Sequence, residues 1–162
     1  IFAARGGYGT IRIIDQLNFS TFKTKPKWIV GFSDITVLHS HIYANYQIET
    51  IHGQMPLTIP DGSKPSLETL HKVLFDEPIV YQYPNKMASK YGEATGILAG
   101  GNLSILVTLS GSVSEIDYRN KILFIEDVGE YLYAVVRMLW AFSRSGILAP
   151  LIGLVVGSFT HV

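Results

Sequence analysis

A serine stands at residue 33 in "WIVGFSDIT" (28–36), where a run fit for a buried strand passes at once into a helix-forming stretch. A hydroxyl at such a bend stands clear of the sheet, and the next amide points where an oxyanion would form, which is the mechanics of a nucleophile elbow. The usual elbow has glycine two residues after the serine, and here that position is Ile35. The same spacing suits a plain helix cap, with the Ser33 oxygen accepting an early amide hydrogen and Asp34 favourable in the first turn. A second strand-to-helix turn, "ARGGYGT" (4–10), pairs Gly6 with Gly7; adjacent glycines let backbone approach a ligand and present amides to negative charge, and they also make ordinary tight turns. Gly7 and Gly9 supply only two glycines of a dinucleotide fingerprint, since Arg12 holds the third position. "LFIEDVGE" (123–130) ends an apolar run in Glu126 and Asp127. A carboxylate there caps the next helix or orients a histidine, the third role in a hydroxyl relay.

The five histidines are His39, His41, His52, His71 and His161. His39 and His41 lie two apart on an expected helix and face different ways, so no metal site is expected. His52, with Gly53 after it, follows a strand and is placed to line a pocket; His71 and His161 are expected at the surface or an edge. No histidine has a spacing to Ser33 or Glu126 that marks it as a base.

These groups must be positioned by a core, and 48% of the 162 residues are apolar. Lysine plus arginine match aspartate plus glutamate at 13 each without a like-charge run, so no nucleic-acid or polybasic membrane partner is indicated; a neutral small molecule or peptide is. The absence of cysteine excludes disulfides, thiolate zinc sites and thiol catalysis. "GILAPLIGLVVGSF" is too broken by proline and glycine for the ~20 apolar residues of a spanning helix and is expected as a core strand.

Strand-like and helix-like runs alternate. "IFAA", "KWIVGF" and "IETIHG" are expected strands. "TIRIIDQLN", with Ile11, Ile14 and Leu17 at helical spacing, and "SDITVLHSHIYANY", with Ile35, Leu38 and Ile42, are the helices between them. Later come a short helix at "SLETLHKVLF", a glycine turn at Gly100 and Gly101 into a helix begun by Asn102, the strand "KILFIED", and a helix with Leu132, Val136, Leu139 and Phe142 as its buried stripe and Gly146 as its cap. This is the order of an α/β fold with parallel sheets and covering helices. The expected division is 1–60 as part of a nucleophile-bearing N-terminal lobe, 61–93 as linker, and 94–162 as part of a C-terminal lobe carrying the acid. Because strands stand at both ends, the expectation is a fragment truncated at each.

"ARGGYGT", "WIVGFSDITVLH", "TIHGQM", "LAGGNLSIL", "ILFIEDVGEYLYAVVRML" and "GLVVGSF", in this order and at these separations, resemble the LD-carboxypeptidase family of serine peptidases, which includes the microcin-C self-immunity peptidases. The resemblance spans nearly the whole chain. It implies an N-terminal flavodoxin- or Rossmann-like lobe, Ser33 as nucleophile, Glu126 as acid, and an oxyanion hole from Gly6, Gly7 and the Asp34 amide. It implies a base from a glycine-histidine motif past "GLVVGSF", which His161 does not match, so the 162 residues alone are expected to be nearly inactive. Gln54 stands where the family usually has proline, and Val136 where aspartate commonly precedes the arginine. The implied reaction is hydrolysis of the L-diamino acid to D-alanine amide of murein tetrapeptides in cytoplasmic wall recycling, by a homodimer without cofactor. Cleavage of microcin-like peptide-nucleotides and a non-catalytic small-ligand module are the alternatives.

Overall fold

A computed structural model describes residues 1–83 and 92–161. The fold is α/β with two parallel sheets. In the first, β1 (Val30–Gly31) pairs with β2 (Ile51–His52) across the helix α2 (Thr36–Tyr46). The second has the order β3 (Ile97–Asn102), β4 (Lys121–Val128), β5 (Gly153–Thr160), with α4 (Leu103–Thr108) and α5 (Leu132–Arg144) as crossovers. A short helix α1 (Ser20–Thr24) precedes β1, and α3 (Lys64–Leu74) follows β2. Residues 84–91 of the expected linker lie outside the described residues.

Several elements form for reasons written beside them. Ser63 accepts the Ser66 amide and Pro65 sits in the first turn, which starts α3 two residues ahead of the expected "SLETLHKVLF". Asn102 caps α4 by accepting the Ile105 amide. At the end of α5, Gly146 (φ 81°) donates to Ser143 O and Ile147 donates to Phe142 O, closing a Schellman motif whose Phe142 and Ile147 side chains are both buried.

Other expectations need correction. "IFAA" makes a single bridge, Phe2 with Val30, and no extended strand. "TIRIIDQLN" forms two 3-10 turns, Thr10–Arg12 and Ile14–Gln16, and of its expected stripe only Ile14 is buried. Three β-branched isoleucines in four residues disfavour an α-helix. In α5 the buried face carries Val135 and Phe142 with Met138 and Leu139 partly covered, while Leu132 is 68% and Val136 47% exposed. That helix is apolar nearly all round its first turns, so two stripes satisfied the same period. Among the described residues "GLVVGSF" pairs only with β4, and Leu154, Val155 and Val156 are exposed.

Gly100 and Gly101 do not turn the chain; they lie inside β3, each with φ 147°. A side chain at Gly100 would begin 1.8 Å from the Phe124 carbonyl oxygen, and one at Gly101 would begin 2.8 Å from the Thr36 side chain. Glycine is required there because backbone and side chains approach too closely for a Cβ. Gly100→Ala is therefore expected to destabilise the fold by ~3 kcal/mol or more. Denaturant unfolding checks this, and a midpoint equal to that of the parent would rule out so close an approach of β3 to β4.

The two sheets meet through α2. Its Val37 packs with Ile14 and Leu109, and its Ile42 with Ile29, Ile35 and Met55. Helix α2 is covered on both sides, and burial extends beyond the expected stripe to Thr36, His39, Ser40 and His41. Asn102 N donates to Thr36 Oγ1 at 3.1 Å and His41 Nδ1 lies 2.9 Å from Ser114 Oγ, so polar contacts join the two halves as well.

Candidate active site

At the end of β1, Phe32 is extended and Ser33 takes φ 60°, a left-handed conformation that strains any residue with a Cβ. Residues Ser33–Ile35 then form one 3-10 turn that runs into α2. The bend is tight enough that a side chain at Gly31 would begin 2.8 Å from Ile35 Cγ1, so the glycine before the elbow is obligatory. The cap positions belong to Phe32 for the 3-10 turn and to Ile35 for α2, so Ser33 stands inside the turn and is the cap of neither. The cap reading of Ser33 is thereby corrected: the serine is the first residue of the 3-10 turn, one position past its cap. What lies beside the side chain is Gly6, where an added Cβ would stand 3.3 Å from both Ser33 Cβ and Oγ.

Asp34 is 5% exposed and ties the glycine turn to the elbow. Its Oδ2 accepts from Gly9 N (3.2 Å), Thr10 N (3.1 Å) and Thr10 Oγ1 (2.8 Å). The backbone amides of Gly6, Gly7 and Asp34 donate to no backbone acceptor among the described residues.

His52, at the end of β2, is registered opposite Gly31. Its ring lies 6.1 Å from that of Phe32, 6.3 Å from that of His39, and 5.2 Å edge-on from that of Phe124. His52 Nε2 is 4.0 Å from Glu126 Oε1, a buried oxygen with no hydrogen-bond partner among the described residues. Burial, with a smaller contribution from nearby His39, lowers the His52 pKa to about 4. Burial, then the neighbouring Asp127, raises that of Glu126 to about 7, with the Asn102 side chain acting the other way. Between those two values both groups are neutral, so their contact is not an ion pair despite its distance. Gly53 donates to Gly31 O at 3.1 Å and is packed beneath Leu70 of α3, holding the β2 end beside β1.

The fold thus links Ser33 and Glu126 from two sides. One route runs from Phe32 to His52 to Glu126. The other runs from the elbow's Thr36 to Asn102, which is registered opposite Glu126. Asp127 caps α4, not the following helix, accepting from Ser104 N and Asn102 Nδ2. Glu126 is the carboxylate of the pair left without such work. His71 and His161 are exposed and His41 turns toward Ser114, so none joins this group. Gln54 bonds Ser66 of α3, and Val136 sits on the outer side of α5; both departures from the family pattern fall outside the cluster. Thr10, Thr36 and His39 carry no local sequence signal for their places here. Two clefts of about 660 and 360 Å³ lie elsewhere, against Ile14, His41 and Ser114 and against Tyr118, Ser145 and Pro150. The assignment of the site therefore stands on the elbow backbone and its side-chain partners. Among the described residues no group of three metal-ligating side chains converges, and no helix is long and apolar enough to cross a membrane.

Residues 1–53 match the LD-carboxypeptidase N-terminal domain, and 95–162 match the LD-carboxypeptidase C-terminal domain. The chain is 38% identical over 165 residues to the "Probable murein peptide carboxypeptidase" of Bacillus subtilis, covering 98% of this chain and 51% of that protein. It is 29% identical over 174 residues to the murein tetrapeptide carboxypeptidase of Pseudomonas aeruginosa, covering 99% and 55%. Among solved structures it superposes on muramoyltetrapeptide carboxypeptidase from Oxalobacter formigenes with TM-score 0.81 and 32% identity, covering 98% of this chain and 55% of that one. It superposes on the microcin C7 self-immunity protein MccF in complex with glutamyl sulfamoyl guanosine with TM-score 0.85, covering 99% and 58%; at 23% identity that likeness is one of fold. The chain spans about half the length of the curated relatives it matches.

Proposed function

This chain belongs to the LD-carboxypeptidase family, and from that premise we propose that it carries the nucleophile and the acid of a serine peptidase acting on murein tetrapeptides. The observation that carries the reading is the Ser33 elbow: a strained left-handed serine, uncommitted as a cap, packed against Gly6, with Glu126 reached through His52. Strain of this kind persists only where the surroundings impose it, and it clusters at reacting groups.

In the proposed reaction Ser33 Oγ attacks the carbonyl carbon between an L-diamino acid and D-alanine. The base is a histidine outside these 162 residues. It takes the Ser33 proton and returns it to the leaving amine of D-alanine, while Glu126 holds the imidazole in the working tautomer. Amides of Gly6, Gly7 and Asp34 hold the oxyanion, and water then cleaves the acyl-serine. His52 and Gly53 form the pocket wall beside Glu126. We assign the activity to cytoplasmic wall recycling by a homodimer, in keeping with the family resemblance and the murein-directed names of the relatives.

A fluorophosphonate probe tests the reading on the complete protein. Rapid labelling at Ser33, lost in Ser33→Ala, is the expected result. A complete protein that hydrolyses nothing and leaves the probe untouched is a binding module, and the peptidase reading fails.

A further inference from the structure

The turn that carries Gly6 and Gly7 is fastened on both sides, and on each side one partner lies within three residues of the nucleophile. On one side Ala3 N donates to Val30 O at 2.9 Å, three residues before Ser33, and Leu57 N donates to Ala4 O at 3.1 Å. On the other side three donors of Gly9 and Thr10 converge on one oxygen of Asp34, the residue after Ser33. Between these anchors, residues 5–8 make no backbone-to-backbone hydrogen bond among the described residues. A segment with glycines at 6, 7 and 9 has unusual conformational freedom, so its place must be imposed from its ends.

We propose that the Asp34 carboxylate, with Thr10, is a positioning device for the oxyanion donors: it fixes the Gly6–Gly7 turn in register with Ser33. The inference rests on the peptidase reading of the same site and adds the side chains that make it rigid. Asp34 then acts twice, its amide as a donor to the oxyanion and its carboxylate as the clamp. A carboxylate suits the task because three donors on one charged acceptor hold more strongly than neutral bonds would. Its burial keeps water from competing for those donors. Donors that must not reorganise as charge develops stabilise the transition state more than the bound substrate.

The experiment uses the complete protein and three variants. Thr10→Val removes one hydroxyl bond and keeps the volume. Asp34→Asn keeps an acceptor oxygen and loses the charge. Asp34→Ala removes the clamp. Turnover of murein tetrapeptide is measured per active site, titrated by fluorophosphonate, together with inhibition by a peptidyl aldehyde, whose adduct with Ser33 places an oxygen among the oxyanion donors. Thr10→Val is expected to lower kcat by about threefold to tenfold with KM changed less than about twofold. Asp34→Ala is expected to lower kcat by ~10²-fold, the effect of losing one oxyanion donor, with Asp34→Asn in between. Aldehyde affinity should fall in step with kcat/KM. Unchanged kcat per titrated site in Thr10→Val and Asp34→Asn, or losses confined to KM, overturns the proposal even if Asp34→Ala does not fold. Full turnover by Ser33→Ala would instead remove the peptidase reading beneath it.

Discussion

Ser33→Ala in the complete protein is expected to lower kcat on murein tetrapeptide by at least ~10²-fold, while leaving the fold intact. Ser33 stands inside the 3-10 turn and is the cap neither of it nor of α2, so its replacement takes no cap from the elbow. The backbone strain at φ 60° is the same for alanine as for serine, and stability should change by less than ~0.5 kcal/mol. Ser33→Gly sharpens the test. Glycine occupies the left-handed region without a Cβ penalty, so that variant should be ~1 kcal/mol more stable than the parent and equally inactive. Activity lost together with stability gained is the signature of a residue kept for chemistry against local preference. Thermal melts and turnover of the three proteins decide it, and an alanine variant with full turnover would refute the assignment.

Glu126→Gln should have an effect of comparable scale, lowering kcat by ~10³- to 10⁴-fold, because a neutral amide neither holds the relay imidazole in its working tautomer nor stabilises the imidazolium. Its dependence on pH distinguishes a buried acid from a surface one. Burial and the adjacent Asp127 raise the Glu126 pKa to about 7 from an ordinary 4.5. The folded state therefore holds that proton more tightly than the unfolded chain does. Glu126's contribution to stability is fully present below about 4.5 and is lost as pH rises through about 7. Gln mimics the protonated acid, so the variant should match the parent at pH 4 and melt at a higher temperature at pH 8. The parent's rate should rise through the same region, as the acid ionises and the relay becomes competent, with the apparent midpoint belonging to the coupled acid and imidazole. Equal melting differences at pH 4 and pH 8 would show that Glu126 is not desolvated. His52 has the opposite sign: its pKa is lowered to about 4 from 6.5, so its contribution is present above 6.5 and lost as pH falls toward 4.

Features governed by a few neighbouring residues were legible in the sequence. The alternation that gives parallel sheets, the Asn102 cap and the Gly146 terminator all act within one helical turn of themselves. Six motifs in fixed order carried the family resemblance even though the elbow alone was ambiguous between a cap and a nucleophile. Where apolar residues filled more than one face, as in α5 and α2, the pattern was compatible with several burials, and packing chose among them.

What the chain by itself determined is thus the α/β class and the order of most elements, and it singled out the serine and the glutamate proposed here as the reacting pair. Tertiary structure decided how those two are served. Asp34 reaches Thr10 across 24 positions, Asn102 reaches Thr36 across 66, and His52 comes beside Glu126 only when the ends of β2 and β4 are brought together. No local pattern encodes such contacts, because hydrogen bonding and desolvation depend on distance in space, and distance along the chain fixes that only within a turn or two.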